Sequence, residues 1–322
     1  MSVPSLSVIH RVPRGTRDAA LTSLQISLCG SGCGRVTQER SAARLRAKGA
    51  SWRLDILAND GSAAEYSNDD ARGRARALAT DATKAMTPSA LESAGRAFIA
   101  SKLTSVIVLE PGETLVPETV AYRSDSGGKT DGSGETTTVV SANRVVFSRE
   151  INGIPVVGTG SKIILTFLSD GSVESFRYDW PKYALTGRVQ TSAPIGNILQ
   201  RIQKVVGARE DVHGLQPIFM PSQVTADTRI DLGADVQLER LACGYYDPGF
   251  TVRESVGVVQ AGCYYHAVHY QGGSQGVVSA GLSGAVPASV QAERDDAWPE
   301  ETLIRGVSAS WGEPPPNAPS SR

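Results

Sequence analysis

The residues best suited to chemistry are a cysteine and two histidines in the C-terminal half of the chain. Cys263, His266 and His269 offer one thiol and two imidazoles, the ligand types that zinc prefers. The surrounding run is β-rich, and in a strand a spacing of three places neighbouring candidates on opposite faces. Because the three side chains would then diverge, we expect neither a metal ion nor another cofactor. An enzyme that uses the 263–269 segment stays as an alternative.

Other familiar catalytic patterns do not point to an enzyme. The sequence contains no HExxH motif of the kind that holds zinc in metallopeptidases. The glycine-rich segment 158–162 lacks the spacing of a phosphate-binding loop and precedes a strand-like run rather than a helix. We therefore expect a function that needs no catalytic residue.

Charge and hydropathy exclude two classes of partner. The chain has 32 basic and 33 acidic side chains among 322 residues, so its overall field favours neither nucleic acid nor an anionic membrane surface. No apolar run approaches the ~20 residues that span a bilayer. The N-terminal segment has no continuous apolar core of the kind found in signal peptides, which predicts a cytoplasmic protein.

The four cysteines leave two interpretations open. Cys29 and Cys33 are separated by three residues, which matches neither a redox motif nor a zinc ribbon. Cys243 and Cys263 flank a predicted hairpin and would form a disulfide if their Cβ atoms approach closely. For a reducing compartment, free buried thiols are the expected state.

The elements that would position a site are clearest between residues 144 and 183. A β-rich run ends at the turn formed by Asn152 and Gly153, the pair that suits a type I′ turn, and the chain then returns. A longer apolar strand follows and ends at Asp170–Gly171. The next strand carries Phe176, Tyr178 and Trp180 at alternate positions, so three rings share one face.

This stretch resembles a known group of domains. The pattern V-x-F-x-R-x-I-N-G-I-P-V-V-G-x-G-S-K, followed by an S-D-G-S turn, is similar to the PepSY and fungalysin/thermolysin-propeptide (FTP) domains over residues 87–183. The resemblance implies an α+β fold in which a helix crosses a curved antiparallel sheet, as in cystatins. It also implies binding, inhibition or chaperoning, without catalytic residues.

A repeat and the helical patterns suggest how the chain divides. Residues 54–69 align with residues 164–179 around matching Asp-Gly-Ser turns, which indicates a duplicated hairpin unit or a chance match of a common turn. Helices are predicted over 70–86, 87–103 and 194–206, whereas 21–28, 105–109 and 115–122 are interpreted as strands. We expect four segments: a shortened unit, 1–86; the PepSY/FTP-like domain, 87–190; a second helix-plus-sheet domain, 191–292; and a disordered tail, 293–322.

A curved sheet with an exposed edge can accept a peptide as an extra strand, and this is the function that we predict. The candidate peptide-binding residues are Arg149, Arg177, Trp180 and Tyr183. We expect Trp180 and Tyr183 to be exposed at the strand end, whereas Phe176 and Tyr178 suit the core. A homodimer would be another way to close the edge.

The composition, rich in Ala, Gly and Arg, is typical of a bacterium with a high-GC genome. The chain looks similar to peptide-binding accessory proteins from gene clusters for ribosomally made, modified peptides, such as the crocagin cluster of myxobacteria. That resemblance implies a precursor peptide and its modifying enzymes as partners. The alternative within the propeptide resemblance is a protease inhibitor or folding chaperone.

Overall fold

The computed structural model describes residues 6–29, 32, 34–81, 85–127, 137–207, 230–233, 236–250, 258–273, 276–290 and 309–312. The strands are β1 (Leu6–Val12), β2 (Thr37–Arg40), β3 (Leu45–Lys48), β4 (Trp52–Ile56), β5 (Ala63–Asn68), β6 (Glu113–Gly127), β7 (Thr137–Ile151), β8 (Ile154–Val157), β9 (Lys162–Phe167), β10 (Val173–Asp179), β11 (Lys182–Gln190), β12 (Ile230–Gly233), β13 (Val236–Tyr246), β14 (Val258–Gly273), β15 (Gly276–Pro287) and β16 (Ala309–Gly312). The helices are α1 (Arg17–Cys29), α2 (Asp69–Arg74), α3 (Pro88–Phe98) and α4 (Ile195–Gly207), and α3 continues into a π-helical turn, Ile99–Leu103.

Strand pairing connects these sixteen described strands into one sheet, in the order β11-β1-β14-β13-β8-β7-β9-β10-β5-β4-β3-β2. Off this order, β6 pairs with β7, β12 with β13, β15 with β14, and β16 with β15. Every pair is antiparallel except β8 with β13. The α+β class is therefore confirmed. Pairs cross all three expected segment boundaries, since β5 lies beside β10, β1 beside β14, and β15 beside β16.

Helices cover one face of the N-terminal part of the sheet. Thr87 caps α3, because its hydroxyl accepts the N–H of Ala90 at 3.3 Å. Leu91 from α3 and Leu24 from α1 are fully buried against Phe147 and other sheet residues. On the opposite face of strands β2 to β7, β9 and β10, Ala71 and Ala75 of the α2 region pack against Ala142 and Leu168. We call this opposite face the open face.

A second core forms where α4 packs against the C-terminal strands. Ile198 and Ile202, one helical turn apart, are fully buried in a cluster with Tyr265 and Leu238. The predicted helix over 194–206 is thus confirmed to within a residue at each end.

The two aligned Asp-Gly-Ser turns have the same geometry. Asp60 accepts the N–H and hydroxyl of Ser62 at 3.1 and 2.6 Å, and Asp170 accepts those of Ser172 at 2.9 and 2.5 Å. The two hairpins meet at the β5–β10 pair. There Tyr66 and Phe176, which the sequence alignment equates, lie opposite each other with ring centroids 5.2 Å apart. The structure therefore relates the two hairpins by an approximate twofold rotation through this pair.

Three sequence-based assignments are wrong. Residues 21–28 belong to α1 because Leu21 and Leu24 bury one helical face, a pattern that the polar residues between them concealed. The helix expected over 70–86 ends at Arg74. Residues 105–109 form no strand, because Val106 and Ile107 close the π-helical turn through bonds to the Leu103 carbonyl.

Two further regions bear on expectations about the tail and the membrane. In the expected tail, Ala309–Gly312 pairs with β15 as strand β16, and the rest of 293–322 lies outside the described residues. Within the described ranges, no helix combines the length and apolar character needed to cross a bilayer.

Candidate functional site

Three of the four residues predicted to bind peptide form a buried cluster. Arg149 and Trp180 are fully buried, and Tyr183 is 8% exposed. The expected exposure of Trp180 and Tyr183 is therefore wrong. The physical reason is that their rings enclose a cation: the guanidinium carbon of Arg149 lies 3.9 Å from the Trp180 ring centroid and 4.9 Å from that of Tyr183.

Arg149 is anchored by polar contacts at one end of its guanidinium. Nη1 donates to the Pro181 carbonyl at 2.8 Å and lies 3.4 Å from a carboxylate oxygen of Glu113. Its Nε and Nη2 are buried without a hydrogen-bond partner in the described part of the chain. Burial lowers the pKa of Arg149 below its ordinary value, although an arginine remains charged. The side chain holds β7, β6 and the β10–β11 connection together.

A second buried group joins Tyr183 to the C-terminal strands. The Tyr183 hydroxyl donates to Asp247 Oδ2, and Ser161 Oγ donates to the same oxygen at 2.8 Å. Desolvation raises the pKa of Asp247 and that of Tyr183. Ser161 has a φ of 54°, an uncommon value for a non-glycine residue, and neighbouring Gly160 donates its N–H to the Asp247 carbonyl at 3.0 Å. The group fastens the loop after β8 to the end of β13.

The structure separates Arg177 from the other three predicted residues. Arg177 is exposed on the open face, where its guanidinium carbon lies 5.9 Å from the Phe250 ring centroid. Arg149 points to the helix-covered face of the same sheet, since Val145 and Phe147, at alternate positions of β7, contact α3 there. The four residues therefore form no single binding surface.

The candidate metal ligands are also dispersed. Cys263 forms a disulfide with Cys243, its register partner, so its sulfur is unavailable as a thiolate ligand and the expectation of free thiols is wrong. Cys29 is likewise disulfide-bonded. His266 is half-buried on β14 opposite Arg240, and the side chain of His269 lies outside the described set. Among the described residues, no group of three or more His, Cys, Asp or Glu side chains could hold a metal ion.

A different surface emerges at the outer edge of β6. In an antiparallel pair, residues alternate between those whose N–H and C=O face the partner strand and those whose N–H and C=O face away. Asn152 donates its N–H to the Gly112 carbonyl at 2.8 Å, which makes Glu113 and Ile151 a non-hydrogen-bonded pair. Between Asn143 and Ile151, the N–H and C=O groups of the odd-numbered residues of β7 therefore point away from β6. Those of the β6 residues that pair with them point away from β7.

The first part of this edge is closed. The Glu113 N–H donates to the Glu110 carbonyl at 2.9 Å, and the Leu115 carbonyl accepts from Arg96 Nη2 at 3.1 Å. Pro117, the next outward residue, has no N–H to offer. Beyond the register shift after Pro117, the edge is open in the described structure, since β7 is the one described strand that pairs with β6.

The open part of the edge presents regularly spaced backbone groups. Val120 and Tyr122 pair with Val145 and Asn143, two of the odd-numbered positions of β7. Their N–H and C=O groups therefore point away from the sheet. This is the geometry that an added strand requires.

A cavity of about 440 Å³ adjoins this same stretch. Its lining consists of Ala121, Tyr122, Arg123, Ser124, Ala142, Arg144 and Thr166. Ala121, Arg144 and Thr166 are register partners across β6, β7 and β9, so they lie side by side on the open face. The edge and the cavity together form the candidate binding surface, which we call the β6 surface.

Sequence reasoning identified the strand over 115–122 but not its place at an edge. One signal was available: a proline within a strand is largely confined to edge strands, and Pro117 stands in the middle of this run. The cavity had no local signal, because its residues come from three strands.

Comparison with known proteins adds no functional information. No family model matches the chain, and no curated protein matches it. One similar solved structure is the crystal structure of an uncharacterized protein from Eubacterium rectale, with 9% sequence identity and a TM-score of 0.46. That similarity covers 89% of this chain and 84% of the other.

Proposed function

We propose that this protein binds an extended peptide, which adds to the sheet as a strand along the outer edge of β6. The observation that carries the proposal is the coincidence of the open edge at Val120 and Tyr122 with the adjoining cavity. Backbone hydrogen bonds would supply part of the affinity, and side chains in the cavity would supply selectivity.

The backbone contacts alone give weak binding. Val120 and Tyr122 offer two N–H and two C=O groups, and each net hydrogen bond contributes about 1 kcal/mol. Four such bonds correspond to a Kd of about 1 mM before the costs of association are counted. A peptide bound at micromolar concentration must therefore also fill the cavity.

The resemblance to PepSY and FTP domains, including their cystatin-like arrangement, supports the same proposal. The Asn152–Gly153 turn that anchors the resemblance adopts positive φ at both residues, 52° and 76°. A role in holding a precursor peptide for modifying enzymes follows from the narrower resemblance to accessory proteins of ribosomal peptide pathways. In that role the peptide would be encoded beside this protein.

One observation favours a second candidate, a propeptide-like protease inhibitor or folding chaperone. Cys29, Cys243 and Cys263 are all disulfide-bonded, and disulfides persist mainly in oxidising compartments. An exported protein would suit a peptidase partner better than a cytoplasmic precursor peptide. The two candidates differ in whether the full chain binds short peptides or only a folded mature peptidase.

The experiment uses the full-length chain to select ligands from a phage-displayed library of ten-residue peptides, and measures the winners by calorimetry. The test variant is Val120→Pro, which removes one outward N–H, and the control is Val120→Thr, which keeps it. Pro117 shows that the strand accommodates proline at an outward position. We expect Val120→Pro to weaken binding about fivefold, the loss of roughly one hydrogen bond, and Val120→Thr to leave it unchanged.

Equal affinities for Val120→Pro and the unmodified chain would remove β6 as the binding edge. Failure of any library peptide to bind, together with tight binding of a mature peptidase, would favour the inhibitor or chaperone instead. Size-exclusion chromatography of the same samples shows whether a second copy of the chain already occupies the edge.

A further inference from the structure

The open face carries a row of side chains that continues from the cavity across six strands. Successive register partners place one residue on each of these neighbouring strands, all on the same face. The members, from the β6 edge inward, are Ala121, Arg144, Thr166, Ser175, Ser67 and Arg53. We call this set the hydroxyl–arginine row, and it contains three hydroxyls, two guanidiniums and no carboxylate.

The order of the row lets Arg144 reach a strand added at the edge. Neighbouring strands lie about 4.8 Å apart, so a residue on the added strand would lie about 10 Å from the Arg144 backbone. Ala121 stands between them and carries only a methyl group. An extended arginine side chain can therefore pass over Ala121 and meet the side chain of a bound peptide.

The charge of the cavity favours an anion. Arg123 and Arg144 line it, and none of the lining residues that the structure describes is acidic. Arg123 pairs with the carboxylate of Glu174, which is 2% exposed. Glu174 already pairs with both Arg123 at 2.8 Å and Arg72 at 3.5 Å, so two guanidiniums share one carboxylate. These three side chains together therefore carry a net positive charge.

We propose that the peptide bound at β6 is acidic, with an aspartate or glutamate side chain placed in the cavity against Arg144. Because side chains of a strand alternate between its faces, the acidic residues should recur at every second position. The inference rests on the proposed function, since it names the chemistry of the peptide that adds to β6.

The probes are three blocked ten-residue peptides that alternate valine with glutamate, glutamine or lysine. Calorimetry with the full-length chain gives each Kd, and amide exchange of Val120 and Tyr122 reports whether the peptide occupies β6. We expect the glutamate peptide to bind about tenfold more tightly than the glutamine peptide, and the lysine peptide to bind most weakly. The preference should shrink as salt is raised, because the cavity is open to solvent.

Two variants of one residue test the assignment, with a matched control at the other edge of the sheet. Arg144→Gln should reduce the glutamate-over-glutamine preference to less than about threefold, whereas Arg144→Lys, which keeps the charge, should retain most of it. Arg40→Gln removes an exposed guanidinium from β2 and should leave the preference unchanged. Thermal unfolding of each variant confirms that it is folded.

The outcomes separate the two proposals. If glutamate and glutamine peptides bind equally while Val120 and Tyr122 are protected, the acidic preference is overturned and strand addition stands. If the preference survives Arg144→Gln, the assignment of Arg144 is overturned. If no peptide protects Val120 and Tyr122, the proposed function itself fails.

Discussion

Replacing Arg149 by methionine should destabilise the fold without acting directly on peptide binding. The substitution keeps a side chain of similar length but removes the cation that pairs with Glu113, whose side chain is only 4% exposed. Removing one partner of a buried ion pair costs about 3–5 kcal/mol, because the other charge stays buried and unpaired. The Pro181 carbonyl also loses its donor, and the cation–π contacts with Trp180 and Tyr183 are lost.

One effect opposes this loss. Arg149 Nε and Nη2 are buried without a hydrogen-bond partner among the described residues, and removing such groups relieves an unfavourable desolvation. We therefore expect the lower end of the range, about 3 kcal/mol. Adding Glu113→Gln to Arg149→Met should remove most of the unpaired charge. The double variant should therefore lose at least about 1 kcal/mol less free energy of unfolding than the two single variants lose together.

Urea unfolding measured by fluorescence gives the free energy of unfolding of each variant. Arg177→Met is the matched control, because it makes the same substitution at the exposed arginine on the other face, and it should stay within about 0.5 kcal/mol of the unmodified chain. The reasoning is refuted if Arg149→Met keeps full stability and loses peptide binding, since Arg149 would then act as a binding residue.

Three further predictions use the same unfolding assay. Replacing Cys243 and Cys263 by serine should cost about 3 kcal/mol, the chain-entropy value for a separation of 20 residues, and an unchanged midpoint would mean that the disulfide does not form in solution. Burial raises the pKa of Asp247 above 3.8, which favours the protonated carboxyl group in the folded state. The contribution of this group to the free energy of unfolding is therefore largest below pH 3.8 and is lost as the pH rises through the raised pKa. Asp247→Asn removes this loss, and its stability relative to the unmodified chain should therefore rise between pH 4 and pH 8; a difference that is constant with pH contradicts the assignment. Gly95→Ala places a Cβ 2.6 Å from the Phe147 ring and should cost about 1–3 kcal/mol, whereas Gly73→Ala in α2, with open space around it, should stabilise by up to about 1 kcal/mol; equal effects would contradict the close packing of α3.

Local chemistry made parts of the fold predictable. The Asn152–Gly153 turn, the Thr87 cap and the apolar stripe of α4 are each specified by residues that are neighbours in the sequence. The repeated Asp-Gly-Ser turns were recognisable for the same reason. Where a few adjacent residues determine a conformation, the sequence predicts it.

Long-range pairing decided what could not be predicted. Tryptophan is common at recognition surfaces. Trp180 is buried instead, because its ring packs against the guanidinium of Arg149, 31 positions earlier. The β6 surface depends on which strands lack a neighbour, and that follows from the order of the whole sheet. The alternation of polar and apolar residues in 21–28 fitted a strand until the core showed which face α1 buries.

The most direct test of strand addition is amide hydrogen exchange of the full-length chain, with and without a saturating peptide from the library selection. The account predicts that Val120 and Tyr122 become strongly protected, because their outward N–H groups gain hydrogen-bond acceptors. The exchange of outward amides on β2 and β11, the strands at the two ends of the main strand order, should not change. Protection at β2 or β11 while Val120 and Tyr122 exchange as before would contradict the account.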